Sequence, residues 1–266
     1  GAISSVGLTT SIVSNGYYDT SWKYYQNGRF CQYYQNSGDH IFYSSANNVS
    51  GADSPLTPVE LARINSSGNI GLGATISAWN SNYKAIEFVG GSVMSGNDGA
   101  AIQLAGNSYI NSSAVYAYKA NGFACLYQLY AGNHQWYNSG SVSGTAGATY
   151  TPLLRMQLNP SGNLALGANN SAWQSTFRVL EFSNGTSVGN PYNGEGAFFA
   201  ANTLRDSSGS WVRIGAGSAS MYYQISGAHQ WFVAGSSTAG SALSFSSGGQ
   251  AMTLDVNGRL GIGATP

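Results

Sequence analysis

The sequence predicts an all-β chain, and three observations carry that prediction. The last fifteen residues, MTLDVNGRLGIGATP (252–266), have two earlier counterparts, LARINSSGNIGLGAT (61–75) and MQLNPSGNLALGANN (156–170). All three fit one template, [DN]-x-[SN]-G-[NR]-[IL]-x-[IL]-G-A, which is the chemistry of a β-hairpin. Asn65, Asn159 and Asp255 can each close an Asx-turn, while Gly68, Gly162 and Gly258 supply the positive φ such a turn needs. Alternating Met252, Leu254 and Val256 places one side of the preceding strand into a core. The third observation is spacing. Gly68 and Gly162 are 94 residues apart and Gly162 and Gly258 are 96 apart, so the chain reads as three tandem β-meander repeats at 1–75, 76–169 and 170–266.

Within each repeat the same short elements follow one another. An aromatic residue comes first (Trp22, Tyr116, Trp211), then a turn at Asn27-Gly28, Asn121-Gly122 or Ala216-Gly217, the first two being strong hairpin signals. A tyrosine-rich strand leads through a second glycine turn into G-x-H-x-[WF], with histidines at 40, 134 and 229. A Ser/Gly/Ala loop then precedes the closing hairpin. Trp79 and Trp173 each lie eleven residues beyond their turn glycine, and KAIEF (84–88) and RVLEF (178–182) are again 94 apart. The first repeat lacks that segment, and with the opening GAISSVG this reads as the interior of a longer polypeptide. Residues 58–64 alone resemble a helical turn, but their counterparts alternate as strands do, so a strand is expected there too. Such meanders carry repeated exposed edges. Closure between chains would remove them, which predicts an obligate oligomer.

Composition narrows the function. Charged residues make up 8% of the chain, against roughly 25% in ordinary domains, and ten acids balance ten bases. No basic face is available to follow a phosphate backbone, so nucleic acid is excluded as a partner. No apolar run approaches the ~20 residues needed to cross a bilayer as a helix, so membrane insertion is not expected. Gly71-Leu72-Gly73 and Gly261-Ile262-Gly263 lack the third glycine and the helix of a dinucleotide site. No P-loop, CxxC or Ser-His-Asp order is present. Cys31 and Cys125 each stand nine residues before a repeat histidine, with Ser220 in the third copy. Equivalent positions in successive repeats lie far apart, so two buried free thiols are expected rather than a disulfide.

The histidines admit two readings. One is a metal ion gathered by three symmetry-related imidazoles on an oligomer axis; the other is strand histidines bonded to neighbouring backbone and packed beside Phe42, Trp136 or Trp231. The second is adopted, since nothing else in the motif supplies ligands. No metal or cofactor is therefore assigned. Among the acids, Glu87 and Glu181 are repeat equivalents read as structural partners of Lys84 and Arg178, and Asp255 is turn chemistry. Of the ten acids, Glu195 and Asp206 in the last repeat are the least explained. A glycan-cleaving pair would need two such carboxylates, but a scaffold repeat gives no reason for one, and no catalytic residue is assigned.

The motifs W-x-Y, N-G, G-x-H-x-[WF] and the closing turn, taken together over 22–75, 116–170 and 211–266, resemble the receptor-binding ends of tailed-phage tail fibres. The final LGIGATP resembles the segment before the self-cleaving intramolecular chaperone domain of many such fibres, the T5-like L-shaped fibre among them. The resemblance implies an elongated, intertwined homotrimer of parallel chains, a C-terminal intramolecular chaperone acting during folding, location at the distal tail fibre of a virion, and attachment to a bacterial cell-surface polysaccharide during host adsorption. A tailspike-like depolymerase and a non-phage adhesin repeat are the alternatives. Tyr, Trp, Asn, Ser and Gly in a low-charge chain are also what adaptable recognition surfaces use. Positions that break the repeat are the most informative. In the third repeat, placed at the distal tip, these are Tyr192, Asn193, Glu195, Arg205, Asp206 and Arg213. That cluster is the expected receptor-binding site.

Overall fold

The structure is a computed structural model that describes residues 2–6, 9–96, 101–140, 143–167, 169–183, 185–191, 196–243 and 249–263. Among these the chain is all-β, as expected, with no helix. The strands are β1 (Ala2–Val6), β2 (Thr9–Ser14), β3 (Tyr17–Tyr18), β4 (Trp22–Lys23), β5 (Cys31–Asn36), β6 (Asp39–Ser44), β7 (Val59–Ile64), β8 (Ile70–Leu72) and β9 (Tyr83–Phe88). They continue with β10 (Gly91–Gly96), β11 (Ala101–Gly106), β12 (Ser108–Ile110), β13 (Tyr116–Tyr118), β14 (Cys125–Tyr130), β15 (Asn133–Asn138), β16 (Leu153–Leu158), β17 (Leu164–Leu166) and β18 (Phe177–Phe182). The last are β19 (Thr186–Pro191), β20 (Gly196–Ala201), β21 (Leu204–Arg205), β22 (Trp211–Val212), β23 (Gly217–Ile225), β24 (Ala228–Ser237), β25 (Gln250–Leu254) and β26 (Leu260–Ile262). Packing divides the chain into two compact units, residues 1–127 with 138–152 and residues 128–137 with 153–266. This partition follows contacts, whereas the repeat boundaries at 75 and 169 follow motifs.

In the first unit β1–β2, β2–β5, β5–β6, β6–β7 and β7–β8 pair antiparallel, β8–β9 pair parallel, and β9–β10 and β10–β11 are antiparallel again. In the second, β16–β17 are antiparallel, β17–β18 parallel, and β18–β19, β19–β20, β20–β23, β23–β24, β24–β25 and β25–β26 antiparallel. A parallel pair cannot be joined by a tight turn and needs a crossover. The closing-turn motif sets up that crossover. Asn65 and Asn159 accept the N–H groups of Asn69 and Asn163 at 2.9 Å, and the buried side chains of Asn69 and Asn163 then accept the N–H of Ala85 and Val179 at 3.0 Å. The turn residue thus staples the next strand. In the third copy Arg259 instead donates back to Asp255, whose Oδ1 accepts the Asn257 and Arg259 N–H groups.

Each crossover is anchored by a buried carboxylate. Glu87 is fully buried and receives Ser77 N–H at 2.9 Å, Ser77 Oγ at 2.6 Å and Trp79 Nε1 at 2.8 Å. Glu181, 4% exposed, receives Ser171 N–H at 2.9 Å, Ser171 Oγ at 2.5 Å and Trp173 Nε1 at 3.0 Å. Glu87 has in addition the Lys119 ammonium at 2.6 Å. Burial works against the Glu87 charge, yet Lys119, Ser77 and Trp79 together hold its carboxyl below the ordinary range. Lys84, expected beside Glu87, donates to the Ser67 carbonyl, and Arg178 donates to the Ser175 and Phe177 carbonyls. A third recurrent device is an asparagine in the left-handed region, at Asn15, Asn107 and Asn202. Asn15 binds Gln26 N–H and the Gln26 and Arg29 carbonyls, Asn107 binds Ala120 N–H and the Ala120 and Phe123 carbonyls, and Asn202 binds Gly215 N–H and the Ser218 carbonyl.

The sheet faces differ from expectation in one respect. In the second unit the buried side carries Val179, Phe198, Ala200, Ala219, Met221 and Phe232, covered by Trp173 and Leu243. The opposite side carries a cross-strand row, Leu164, Leu180, Val188, Phe199, Tyr222, Trp231, Met252 and Ile262. Phe199 is 54% and Ile262 78% exposed there. Thus Met252 and Leu254 alternate as predicted, but the chain buries Thr253 between them and leaves Val256 exposed. The first unit repeats the arrangement, with Tyr33, Phe42, Ala62, Leu72 and Phe88 in one row opposite a core of Val13, Tyr24, Phe30 and Leu56. Cys31 and Cys125 are free thiols but exposed rather than buried, because each strand turns the following residue, Gln32 or Leu126, inward.

Removing Lys119 leaves Glu87 buried with its hydrogen bonds but no cation. We expect Lys119→Met to cost about 3 kcal/mol in urea unfolding at neutral pH, and the loss to shrink in a Glu87→Gln background. A carboxyl held below its unfolded value stabilises above the ordinary carboxyl range, and that contribution vanishes as pH falls through the folded value. Thermal unfolding from neutral to acidic pH should accordingly drop less steeply for Glu87→Gln than for the natural chain.

Candidate functional site

Of the six residues expected at the receptor site, Tyr192, Asn193 and Glu195 lie outside the described residues. The other three separate into distinct roles. Asp206 closes the turn of the β21–β22 hairpin, its Oδ1 accepting Ser208 Oγ at 2.7 Å, Ser210 N–H at 2.9 Å and Ser208 N–H at 3.0 Å. These donors, with Ser208 Oγ foremost, hold its carboxyl below the usual range. Asp19 and Asn111 cap their own turns in the same way, so the acid that sequence left unexplained is turn chemistry. Arg213 is 6% exposed, and its guanidinium donates to the Gly217 carbonyl at 3.0 Å, to Ser241 Oγ at 3.0 Å and to the Gly235 carbonyl. It is a strut between loops.

Arg205 is different. It stands across the hairpin from Trp211, with the guanidinium carbon 5.3 Å from the indole centroid in a cation–π contact. It makes no ion pair among the described residues, and its Nε is buried without a hydrogen-bond partner. An unpartnered buried donor is costly and rare, which marks the position. Around it lies a groove of about 510 Å³ walled by Arg205, Trp211, Tyr223, Gln230 and Gln250 over a floor of Met221, Phe232 and Leu243. Trp211 meets Tyr223 edge-on at 6.2 Å and is held behind by Phe177 and Phe198, each at 5.7 Å and near-perpendicular. Burial pushes the Tyr223 phenol up, with the Arg205 charge acting the other way. Gln230 pairs across the strands with Tyr223 and with Thr253.

No protein-family model, curated protein or solved structure matches the chain. The chemistry of the groove therefore carries the functional reading. Its described lining contains one cation, three aromatic side chains, two amides and the Ser210 hydroxyl, with no carboxylate. It is a set for holding a polar ligand with apolar faces. Gln230 occupies the variable slot of G-x-H-x-[WF], where Ile41 and Gln135 stand elsewhere, and so was hidden inside a motif read as scaffold. Trp211, the aromatic that opens the third repeat, also packs against the core of the second unit.

A second cavity, about 460 Å³, is lined by Asp39, Glu60 and Arg63, but these charges satisfy one another, Arg63 reaching Asp39 at 2.5 Å and Glu60 at 2.7 Å. His40 and His229 turn to tyrosines across their hairpins rather than to backbone. Tyr33 Oη shares a hydrogen bond with His40 Nδ1 and receives Gln35 Nε2 at 2.9 Å, and Tyr222, His229 and Gln224 repeat the arrangement.

The contrast between the two arginines is measurable. Arg213→Ala should cost about 2–4 kcal/mol, since it strips partners from several loop carbonyls. Arg205→Ala should cost less than about 1 kcal/mol, as only the contact with Trp211 is lost. Parallel denaturant titrations check both.

Proposed function

We propose that the chain is the receptor-binding part of a tailed-phage tail fibre, working as a homotrimer that attaches to bacterial cell-surface polysaccharide during host adsorption. The observation that carries this reading is the Arg205 guanidinium, free of any ion pair among the described residues, set beside Trp211 and Tyr223 in a groove also lined by Gln230 and Gln250. Sugars present CH faces to aromatic rings and hydroxyls to amide and guanidinium donors. The reading fits the tail-fibre motifs and the low charge. It also gives the exposed apolar rows a purpose, because a contiguous apolar sheet face beyond a few hundred Å² marks an interaction surface. Neighbouring copies of the chain would cover it, with an intramolecular chaperone assisting assembly.

Binding per site need not be tight, because three sites on one fibre raise effective concentration by orders of magnitude. Among its described residues the groove carries no carboxylate pair, which favours a binding protein over a depolymerase.

Light scattering should return the mass of three chains. On an array of purified bacterial O-polysaccharides and capsules, the natural protein should be retained by some of them and release no shorter fragments. Arg205→Ala should reduce retention at least ~tenfold with the trimer intact. Retention unchanged by that substitution, or fragment release, would overturn the reading.

A further inference from the structure

The second departure from the repeated pattern lies in the first unit, on the outward side of the β3–β4 hairpin. Three backbone bonds define equivalent positions: Asp53 N–H to the Tyr24 carbonyl at 2.8 Å, Gly147 N–H to the Tyr118 carbonyl at 2.8 Å, and Gly240 N–H to the Arg213 carbonyl at 2.9 Å. All three residues are left-handed, with φ of 61°, 78° and 74°. Two are glycine, the residue that conformation favours, and the third is an aspartate. A Cβ at either glycine would meet nothing within 4 Å, so a side chain at this position projects into open space. Nothing in the packing requires a carboxylate there.

The Asp53 carboxylate nevertheless has company. Tyr17 donates its hydroxyl to Oδ1, while Oδ2 accepts nothing among the described residues. The Tyr17 and Tyr25 rings lie 4.9 Å apart, and Tyr25 is 58% exposed. The residues after Tyr118 and Arg213, which match Tyr25, are Lys119 and Ile214, so the exposed aromatic is also particular to this copy. Across the hairpin from Tyr17 stands Lys23, whose ammonium is taken by Asp19 at 2.7 Å. With that pair neutralised, Asp53 leaves the platform one negative charge.

We infer that Tyr17, Tyr25 and Asp53 form a second glycan subsite, selective for uncharged sugars. A tyrosine face takes the CH side of a pyranose, and the acceptor-only carboxylate takes its hydroxyl protons. The residual negative charge repels uronic and sialic acids, which the cation of the Arg205 groove would favour. The inference rests on the glycan-binding reading above for the class of its ligand, but on none of the residues of that groove.

Asp53→Gly restores the residue used at the two equivalent positions, so it should leave the unfolding temperature unchanged or raised while removing the carboxylate. Short neutral oligosaccharides cut from bacterial O-polysaccharides serve as probes, followed by saturation-transfer NMR and calorimetry. Asp53→Gly and Tyr25→Ala should each weaken neutral-oligosaccharide binding at least ~tenfold. Arg205→Ala should leave it within about twofold, since sites that share no residue or partner act independently. Undiminished binding by Asp53→Gly or Tyr25→Ala, or no neutral oligosaccharide bound by the natural protein, overturns the subsite. If acidic glycans still depend on Arg205, the tail-fibre reading stands without it; if they do not, both fall.

Discussion

The buried carboxylate under each crossover is the interaction on which the rest depends. A crossover laid against a sheet buries backbone N–H groups that water cannot reach, and each must find an acceptor. Glu87 and Glu181 supply it, taking a serine N–H, the same serine's hydroxyl and an indole N–H with two oxygens. Pairing register places Glu87 opposite Gly71 and Glu181 opposite Ala165 on the strand before. Small residues are needed there because the connection lies directly above: a Cβ on Gly71 would come within 2.7 Å of the Ala74 carbonyl oxygen. An ionised acid in such a place is tolerable only when its lone pairs are filled. Once it is, the parallel register is fixed, and the antiparallel strands on either side inherit theirs.

From that register follow two faces with different tasks. One is closed by indoles and loops and, in the second unit, opens at the Arg205 groove. The other is left apolar across strand after strand. The hairpin turns between them are held by their own side chains, as at Asp19, Asn111 and Asp206, so the residues beside each turn are released from structural duty. Arg205, next to Asp206, is such a residue. On the proposed reading, recognition falls to what stands next to a self-sufficient turn.

Much of this was legible in the sequence. The closing turns were readable because Asx chemistry and a left-handed glycine are local, and local geometry is written in neighbouring residues. The spacing of Trp79 to Glu87 and of Trp173 to Glu181 was visible too, yet the indole–carboxylate bond is a tertiary event and the acids were assigned to the nearer Lys84 and Arg178. Alternation at Met252, Thr253 and Leu254 was read correctly in period and inverted in face, since period-two patterning does not say which side the chain itself covers. The exposed Cys31 and Cys125 follow from the same inversion. Asn15, Asn107 and Asn202 are not legible in the same way, because a lone asparagine after a strand looks like any loop residue until its backbone partners are in place. Arg205 was singled out because it broke the pattern, whereas Arg213, which broke it equally, proved to be a buried strut.

The staple from Asn69 to Ala85, and again from Asn163 to Val179, has a genetic consequence. Each junction is made entirely from a turn and the strand that follows it, with donor and acceptor sixteen residues apart in both copies. A segment of the coding sequence running from one turn to the next, duplicated in frame, would carry half of two junctions and complete both on insertion. Recombination between copies could therefore lengthen or shorten the polypeptide by whole modules without a mismatched seam.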